Sequence, residues 1–231
     1  MQEPEQPIRL NKFLAERLGI ARREADILIE AGKVTVNGKT AVLGARIDKN
    51  DKVCYNGKVV DFCVPYIYLA LNKPVGYVCS KKRQGDTPTL YELLPEKYRP
   101  LKAVGRLDKD SSGLILLTND GDFAFRMTHP KFVKTKVYEV ELDHALEPLH
   151  QQMIADYGVE IGDGVSKLGL VRLDDEHKIF RVTMSEGRNR QIRRTFAALG
   201  YKVVALERKA FGKYSLSGLK SGDYLEVQKA V

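Results

Sequence analysis

Five short apolar or β-branched stretches dominate the larger part of this chain: "YIYLALNKP" from Tyr66, "LILLT" from Leu114, "VYEVEL" from Val137, "IFRVTM" from Ile179 and "YKVVALE" from Tyr201. Helical patterns fall between some of them, around residues 88–94, 122–128, 145–156 and 189–199. Strands are interrupted by helices rather than alternating strictly with them. The pattern predicts an α+β fold on a mixed, mainly antiparallel sheet. At 231 residues and 43% hydrophobic content, the chain can bury one large core, or a modest core plus a small extra module.

The first sixty residues look like that extra module. Leu10, Phe13, Leu14 and Leu18 recur at three- and four-residue steps, one helical face that ends at Gly19. A second helix is expected in "ARREADILIEAG", with Ala25, Leu28 and Ile29 on one side, Ala21 beside them, and Gly32 as the stop. Alternation around Asn37-Gly38 and again around Asn56-Gly57 is a strong signal for two tight hairpins. Residues 1–60 are therefore expected to form a small module. Residues 61–66, ending near Pro65, would be a connector, and residues 67–231 the main body.

Charge narrows the function. Thirty-eight Lys and Arg against thirty Asp and Glu leave a net +8, which favours a polyanionic partner, nucleic acid before an anionic membrane surface. No apolar run is long enough to span a bilayer, and the start "MQEPEQPIRL" lacks signal-peptide character, so a cytoplasmic protein is expected. Cys54, Cys63 and Cys79 are odd in number and lack C-x-x-C spacing, and the four histidines show no ligand pattern. Neither a disulfide framework nor a metal is expected. With no coiled-coil heptad, a monomer is expected.

The basic residues gather in two places. In the small module Arg22, Arg23 and Lys33, with Lys39, sit near the second helix and the turn after it, placed for phosphate contact. Residues 185–213 hold eight Lys and Arg against Glu186 and Glu207, among them Arg188, Arg190, Arg193 and Arg194. On a helix Arg190, Arg193 and Arg194 would share one face, and stacking like charges three and four apart costs helix stability. An anionic partner accounts for that face better than solvent does.

Against this background "GRLDKDSSGL", Gly105–Leu114, is unusual. Phosphate repels an aspartate presented into a basic cleft, so catalysis is a reason for one to be there. A neighbouring arginine would favour the ionised, nucleophilic form. Spacing does not separate Asp108 from Asp110. A glycosidase would need two opposed carboxylates, but no sugar-binding pattern such as tryptophan platforms accompanies this pair, and the chain has no Trp.

Two resemblances make the reading specific. "IRLNKFLAERLGIARREADILIEAGKVTVNGK" is similar to the S4-like RNA-binding module (the alpha-L motif) over about residues 8–58, with Ala21 where that family commonly has a capping Ser. Loss of that cap would weaken the helix start by about 1 kcal/mol. From there to the end, "ALNKPVGYVCS", "GRLDKDSSGLILLTNDGD", "KTKVYEV", "EGRNRQIRRTFAALGYKV" and "RKAFGKYSLSGLKSGDY" follow in the order seen in the RsuA/RluB/RluF-type ribosomal RNA pseudouridine synthases.

The resemblance implies the pseudouridine synthase fold and isomerisation of one uridine in ribosomal RNA, free or in a ribosome-assembly intermediate, without a cofactor. It implies Asp108 as the catalytic aspartate, Tyr138 stacking on the flipped uracil, and Arg193 paired with Asp108. Arg106 would contact RNA beside the extruded base, and Lys73 would lie in a K-P-x-G turn near the cleft. Large-subunit 23S rRNA is the expected target, with small-subunit 16S rRNA as the alternative. A non-catalytic ribosome-associated RNA-binding protein is the reading outside the enzyme class.

Overall fold

A computed structural model describes residues 7–62 and 65–230; Cys63 lies outside them. The chain forms two compact units. The first holds the described residues up to Ile67 together with Asn119–Gly121, and the second holds Tyr68–Thr118 and Asp122 onward.

In the first unit strand β1 (Ile8–Arg9) leads into α1 (Leu10–Arg17) and α2 (Arg22–Glu30). These are followed by β2 (Val34–Val36), β3 (Lys39–Thr40), β4 (Arg46–Ile47), β5 (Val53–Tyr55) and β6 (Lys58–Val59). Leu10, Phe13 and Leu14 of α1 pack with Ala25 and Ile29 of α2 and with Val34, Ile47 and Val53 from the strands. Both Asn-Gly pairs adopt positive φ at both residues, the geometry that closes a two-residue hairpin with the native strand twist. Asn37 does more, since its side chain donates to Asp51 and accepts from the Lys52 N–H. Ala21 is the exposed N-cap of α2 rather than part of its buried face, and it makes no side-chain cap bond.

The second unit is built on a nine-stranded sheet. Its elements in chain order are β7 (Tyr68–Lys73), β8 (Lys102–Val104), β9 (Ser112–Thr118), α3 (Gly121–Thr128), β10 (Lys136–Leu142) and α4 (Pro148–Gln152). They continue with β11 (Val159–Glu160), β12 (Val165–Ser166), β13 (Gly169–Arg172), β14 (Ile179–Met184), α5 (Gln191–Ala197), β15 (Val203–Phe211), β16 (Tyr214–Ser215) and β17 (Tyr224–Glu226). The sheet runs β13-β14-β10-β15-β9-β7-β17, with β16 on β15 and β8 on β9. Its pairings are antiparallel except β15 with β9, so the predicted mixed, mainly antiparallel α+β architecture is what forms.

Helical expectations were met unevenly. Residues 88–94 make only a 3₁₀ turn, Leu90–Leu93, closed by a Thr89–Glu92 capping box. The stretch 145–156 divides into α4, which starts on Pro148, and a π-helical turn, Met153–Tyr157, that ends at Gly158.

One close approach decides the centre of the sheet. Where β9 meets β15 in parallel, Gly113 lies opposite Arg208. Gly113 has φ +104°, and an added Cβ would lie 2.5 Å from the Arg208 nitrogen and closer still to its carbonyl oxygen. Only glycine lets the strand that leaves the 105–111 loop pack so near its neighbour.

Candidate active site

Asp108 stands on the loop between β8 and β9, and that loop is tied down at several points. Gly105, at φ +75°, turns the chain. Leu107 buries its side chain and exchanges hydrogen bonds with the Cys79 thiol, both at 3.3 Å. The Ser111 N–H donates to the Asp108 carbonyl at 3.1 Å, closing a turn around Asp108. The Gly76 N–H donates to the Lys109 carbonyl at 2.8 Å and joins the loop to the K-P-x-G turn.

Lys73 holds that turn from below. It is fully buried, and its Nζ donates to the carbonyls of Pro74 and Tyr77, each at 2.9 Å. Burial lowers its pKa, opposed by the nearby Cys79, Asp110 and Asp108. Lys73 therefore presents no surface to a substrate; it supports the loop that does.

The loop overhangs a cleft of about 980 Å³ in the second unit. Asp108 and Arg106 line it from the loop, Tyr138 and Met184 from the sheet, and Arg190 and Arg193 from the start of α5. Tyr138 lies on β10 between Val182 and Arg208, only 8% exposed. Arg106 is exposed at the wall and, among the described residues, makes no hydrogen bond or ion pair.

The basic cluster is arranged differently from its helical spacing. Arg190 is the N-cap of α5 in the left-handed region, φ +47°, so it lies outside the helix and off the face it was expected to share. From there it grips both oxygens of Asp110, at 3.0 and 2.8 Å, and reaches Asp108 at 3.6 Å. Arg193, expected to pair with Asp108, is paired with Asp110 instead at 3.3 Å. Its other nitrogens donate to the carbonyls of Asp110 and Val203 at 2.7 and 2.6 Å. The ion partner of Asp108 is thus Arg190. Hydrogen bonds from Arg190 hold the Asp110 carboxyl below its ordinary pKa.

Arg194 turns away to Asp163, at 2.8 Å, and the Ile161 carbonyl. Arg188 is spent on Asp163, Glu186 and the carbonyls of Gly164 and Val165. Both were expected at an RNA surface, and both guanidinium groups are instead occupied within the fold. In the first unit Arg22, Arg23 and Lys33 are exposed.

One part of the wall was not anticipated. Residues 125–136, "FRMTHPKFVKTK", contain four Lys and Arg and no acidic residue, and Thr128, His129, Pro130, Lys134 and Lys136 line the cleft. Phe125, His129 and Phe132 pack ring to ring there, with the Lys131 ammonium over two of the rings. The signal was visible as basic residues interleaved with aromatics. Among the described residues, no group of three or more His, Cys, Asp or Glu is placed to hold a metal, and no helix is long and apolar enough to cross a membrane.

A carboxylate held by arginine over a cleft floored by a tyrosine on a mixed sheet, in a chain that also carries a small helix-and-hairpin unit, defines a class that comparison identifies. A family profile described as RNA pseudouridylate synthase matches residues 67–198, and an S4 domain profile matches residues 8–53. The chain belongs to the RNA pseudouridylate synthase family. It is 38% identical to the ribosomal small subunit pseudouridine synthase A of Pasteurella multocida, over 94% of each chain. It is 36% identical to the ribosomal large subunit pseudouridine synthase B of Bacillus subtilis, over 95% of this chain and 91% of that one. A crystal structure of a pseudouridylate synthase covers 96% of both chains with TM-score 0.69 and 34% identity.

Proposed function

We propose that this chain isomerises one uridine of ribosomal RNA to pseudouridine, with Asp108 as the catalytic residue. The observation that carries this is Asp108 itself, held on a braced loop over the cleft with Arg190 3.6 Å away. A uridine in folded RNA must first be extruded, at a cost of a few kcal/mol. Stacking on Tyr138 offsets part of it, about 1–3 kcal/mol. The base is then detached at N1, rotated and rejoined to the ribose through C5, and Asp108 acts on the nucleoside while Arg190, itself steered by Asp110, orients the carboxylate.

Exposed Arg106 and the 125–136 wall offer the RNA backbone and flanking bases cationic and aromatic contacts. Residues 1–60 act as an S4-like RNA-binding module through Arg22, Arg23 and Lys33, joined by the 61–66 connector to the catalytic body, residues 67–231. The module adds affinity without entering the chemistry. The enzyme works in the cytoplasm as a monomer, a state that sedimentation of the purified chain tests.

The target is 23S rRNA of the large subunit; the 38% identity to a small-subunit enzyme keeps 16S rRNA as the second reading. The deciding experiment maps pseudouridine in both rRNAs from cells with and without the gene, complemented by wild type or Asp108→Ala. One site that vanishes on deletion and returns only with wild type supports the proposal and names the RNA. No change at any site refutes the catalytic role and leaves RNA binding alone.

A further inference from the structure

Beneath the cleft, Arg208 is a buried guanidinium without a counter-charge. It is 2% exposed, and its Nε donates to the Leu114 carbonyl at 2.7 Å. Its Nη2 is buried with no hydrogen-bond partner, and no carboxylate pairs with it among the described residues. An uncompensated buried charge is among the costliest features a fold can retain. Something must keep it there.

Its surroundings point to the cleft. Arg208 lines it, next to Tyr138 on β10, and on the other side its main chain packs directly against Gly113. The guanidinium lies 5.0 Å from the centre of the Phe211 ring, and Lys136 lies 5.6 Å from the same ring. Among the described residues, the Lys136 ammonium donates only to the carbonyls of Ser185 and Glu186, and that of Lys73 only to those of Pro74 and Tyr77. Arg208, Lys136 and Lys73 thus sit in and behind this floor without a carboxylate in hydrogen-bond or ion-pair contact among the described residues, and Asp108, Asp110 and Glu186 act on Lys73 and Lys136 only from longer range. The aspartates at the rim are claimed by Arg190 and Arg193.

We propose that Arg208 is an electrostatic positioning residue whose unpaired charge stabilises the base while it is detached from the sugar. The inference rests on the function proposed above. In that reaction the C1′–N1 bond breaks with its electron pair on the uracil, which becomes an anion with its charge spread over N1, O2 and O4. The ring turns, C5 bonds to C1′, the proton on C5 is released, and N1 takes up a proton. The anion lasts only while the base is free, so a fixed cation under the cleft stabilises that state more than it stabilises bound uridine.

The test compares Arg208→Met, similar in shape but neutral, with Arg208→Lys, which keeps the charge. The substrate is deproteinised rRNA from cells lacking the gene, labelled with tritium at C5 of uracil, and the readout is tritium release at saturating RNA. Arg208→Met is expected to lower kcat roughly 100-fold, the scale for losing one preorganised charge-stabilising group. KM should move less than about twofold, because bound uridine is neutral at the base. The melting temperature should stay level or rise as the unpaired charge is removed, and Arg208→Lys should recover kcat to within about tenfold.

Unchanged kcat in Arg208→Met overturns the inference. A folded Arg208→Lys as inactive as Arg208→Met also overturns it, and a kcat loss that only follows a fall in melting temperature assigns Arg208 a structural role. If Arg208→Met does not fold, Arg208→Lys alone decides. Should wild type release no tritium, the proposed function itself fails, which is a distinguishable result.

Discussion

Gly113→Ala should damage the fold and the site together. The backbone there holds φ at +104°, which a residue with a side chain occupies at a cost of about 1–2 kcal/mol. The new methyl would also collide with the main chain of Arg208, 2.5 Å from its nitrogen. Neither strand yields easily, since β15 is paired on its far side to β10 and β9 to β7. Forcing them apart adds about 1–3 kcal/mol, the usual cost of overpacking. The sum is roughly 3 kcal/mol. At about 2–4 °C per kcal/mol for a unit of this size, the calorimetric transition of the larger unit should fall by roughly 6–12 °C. Gly162→Ala is the control, because Gly162 has a similar φ of +86° with open space around it; it should show the strain alone, about 1 kcal/mol. Because Gly113 follows the Asp108 loop directly, kcat for tritium release should drop in Gly113→Ala at temperatures where the chain is still folded. Equal melting temperatures for the two variants would refute the collision, and full activity would refute the link between strand contact and loop position.

Asp110→Asn should cost stability at neutral pH but not in acid. The folded carboxyl titrates below its ordinary value, so its contribution is complete above the ordinary carboxylate range and is lost as pH falls through the folded value. At 45% side-chain exposure solvent screening keeps it to roughly 0.5 kcal/mol, measurable as a urea-midpoint difference at pH 7 that narrows as pH falls below the ordinary carboxylate range. Glu92, pulled down to about 2 by Arg83 first and the Thr89 N–H second, should titrate closer to the ordinary carboxylate range in Arg83→Met, as followed by carboxyl NMR shifts. Lys131→Gln and Lys134→Gln should each flatten the dependence of log affinity on log salt by about 0.7, if the wall binds single-stranded RNA; unchanged slopes would remove it from the RNA surface. Deleting residues 1–60 should weaken rRNA binding in a filter assay while kcat at saturating RNA survives, and unchanged affinity would count against a binding role for the module.

Local chemistry was the part of this fold most readable from sequence. Asn37-Gly38 and Asn56-Gly57 call for positive φ at both positions, a demand few residue pairs meet, and both hairpins formed where expected. Helices were harder, because their limits depend on single residues that interrupt a period. Pro148 delays the start of α4, and Gly158 stops the π-helical turn that follows. The 3₁₀ turn at Leu90–Leu93 has the composition of a helix but closes on its own capping box after one turn. Sheet order lay outside what strand patterns carry, since β9 and β15 meet through a glycine whose importance appears only once both strands are in place.

The same limit explains why the site was legible in its residues but not in its pairings. Helical spacing put Arg190, Arg193 and Arg194 on one face, where their mutual repulsion called for an anionic partner. The left-handed turn at Arg190 removes that face, and each arginine finds protein acceptors: both oxygens of Asp110, the Asp110 and Val203 carbonyls, and Asp163 with the Ile161 carbonyl. Repulsion is met inside the fold, so the density of positive charge in 185–213 does not measure how much of it faces RNA. Around the cleft, Arg106 and the basic residues of 125–136 make no side-chain ion pair with an aspartate or glutamate among the described residues. A window counted for excess charge ranks 185–213 first because it ignores which carboxylates the fold returns to it. The 125–136 wall is smaller in charge, but none of that charge is answered by an acidic residue of its own, and that makes it the stronger candidate for holding the strand beside the extruded base.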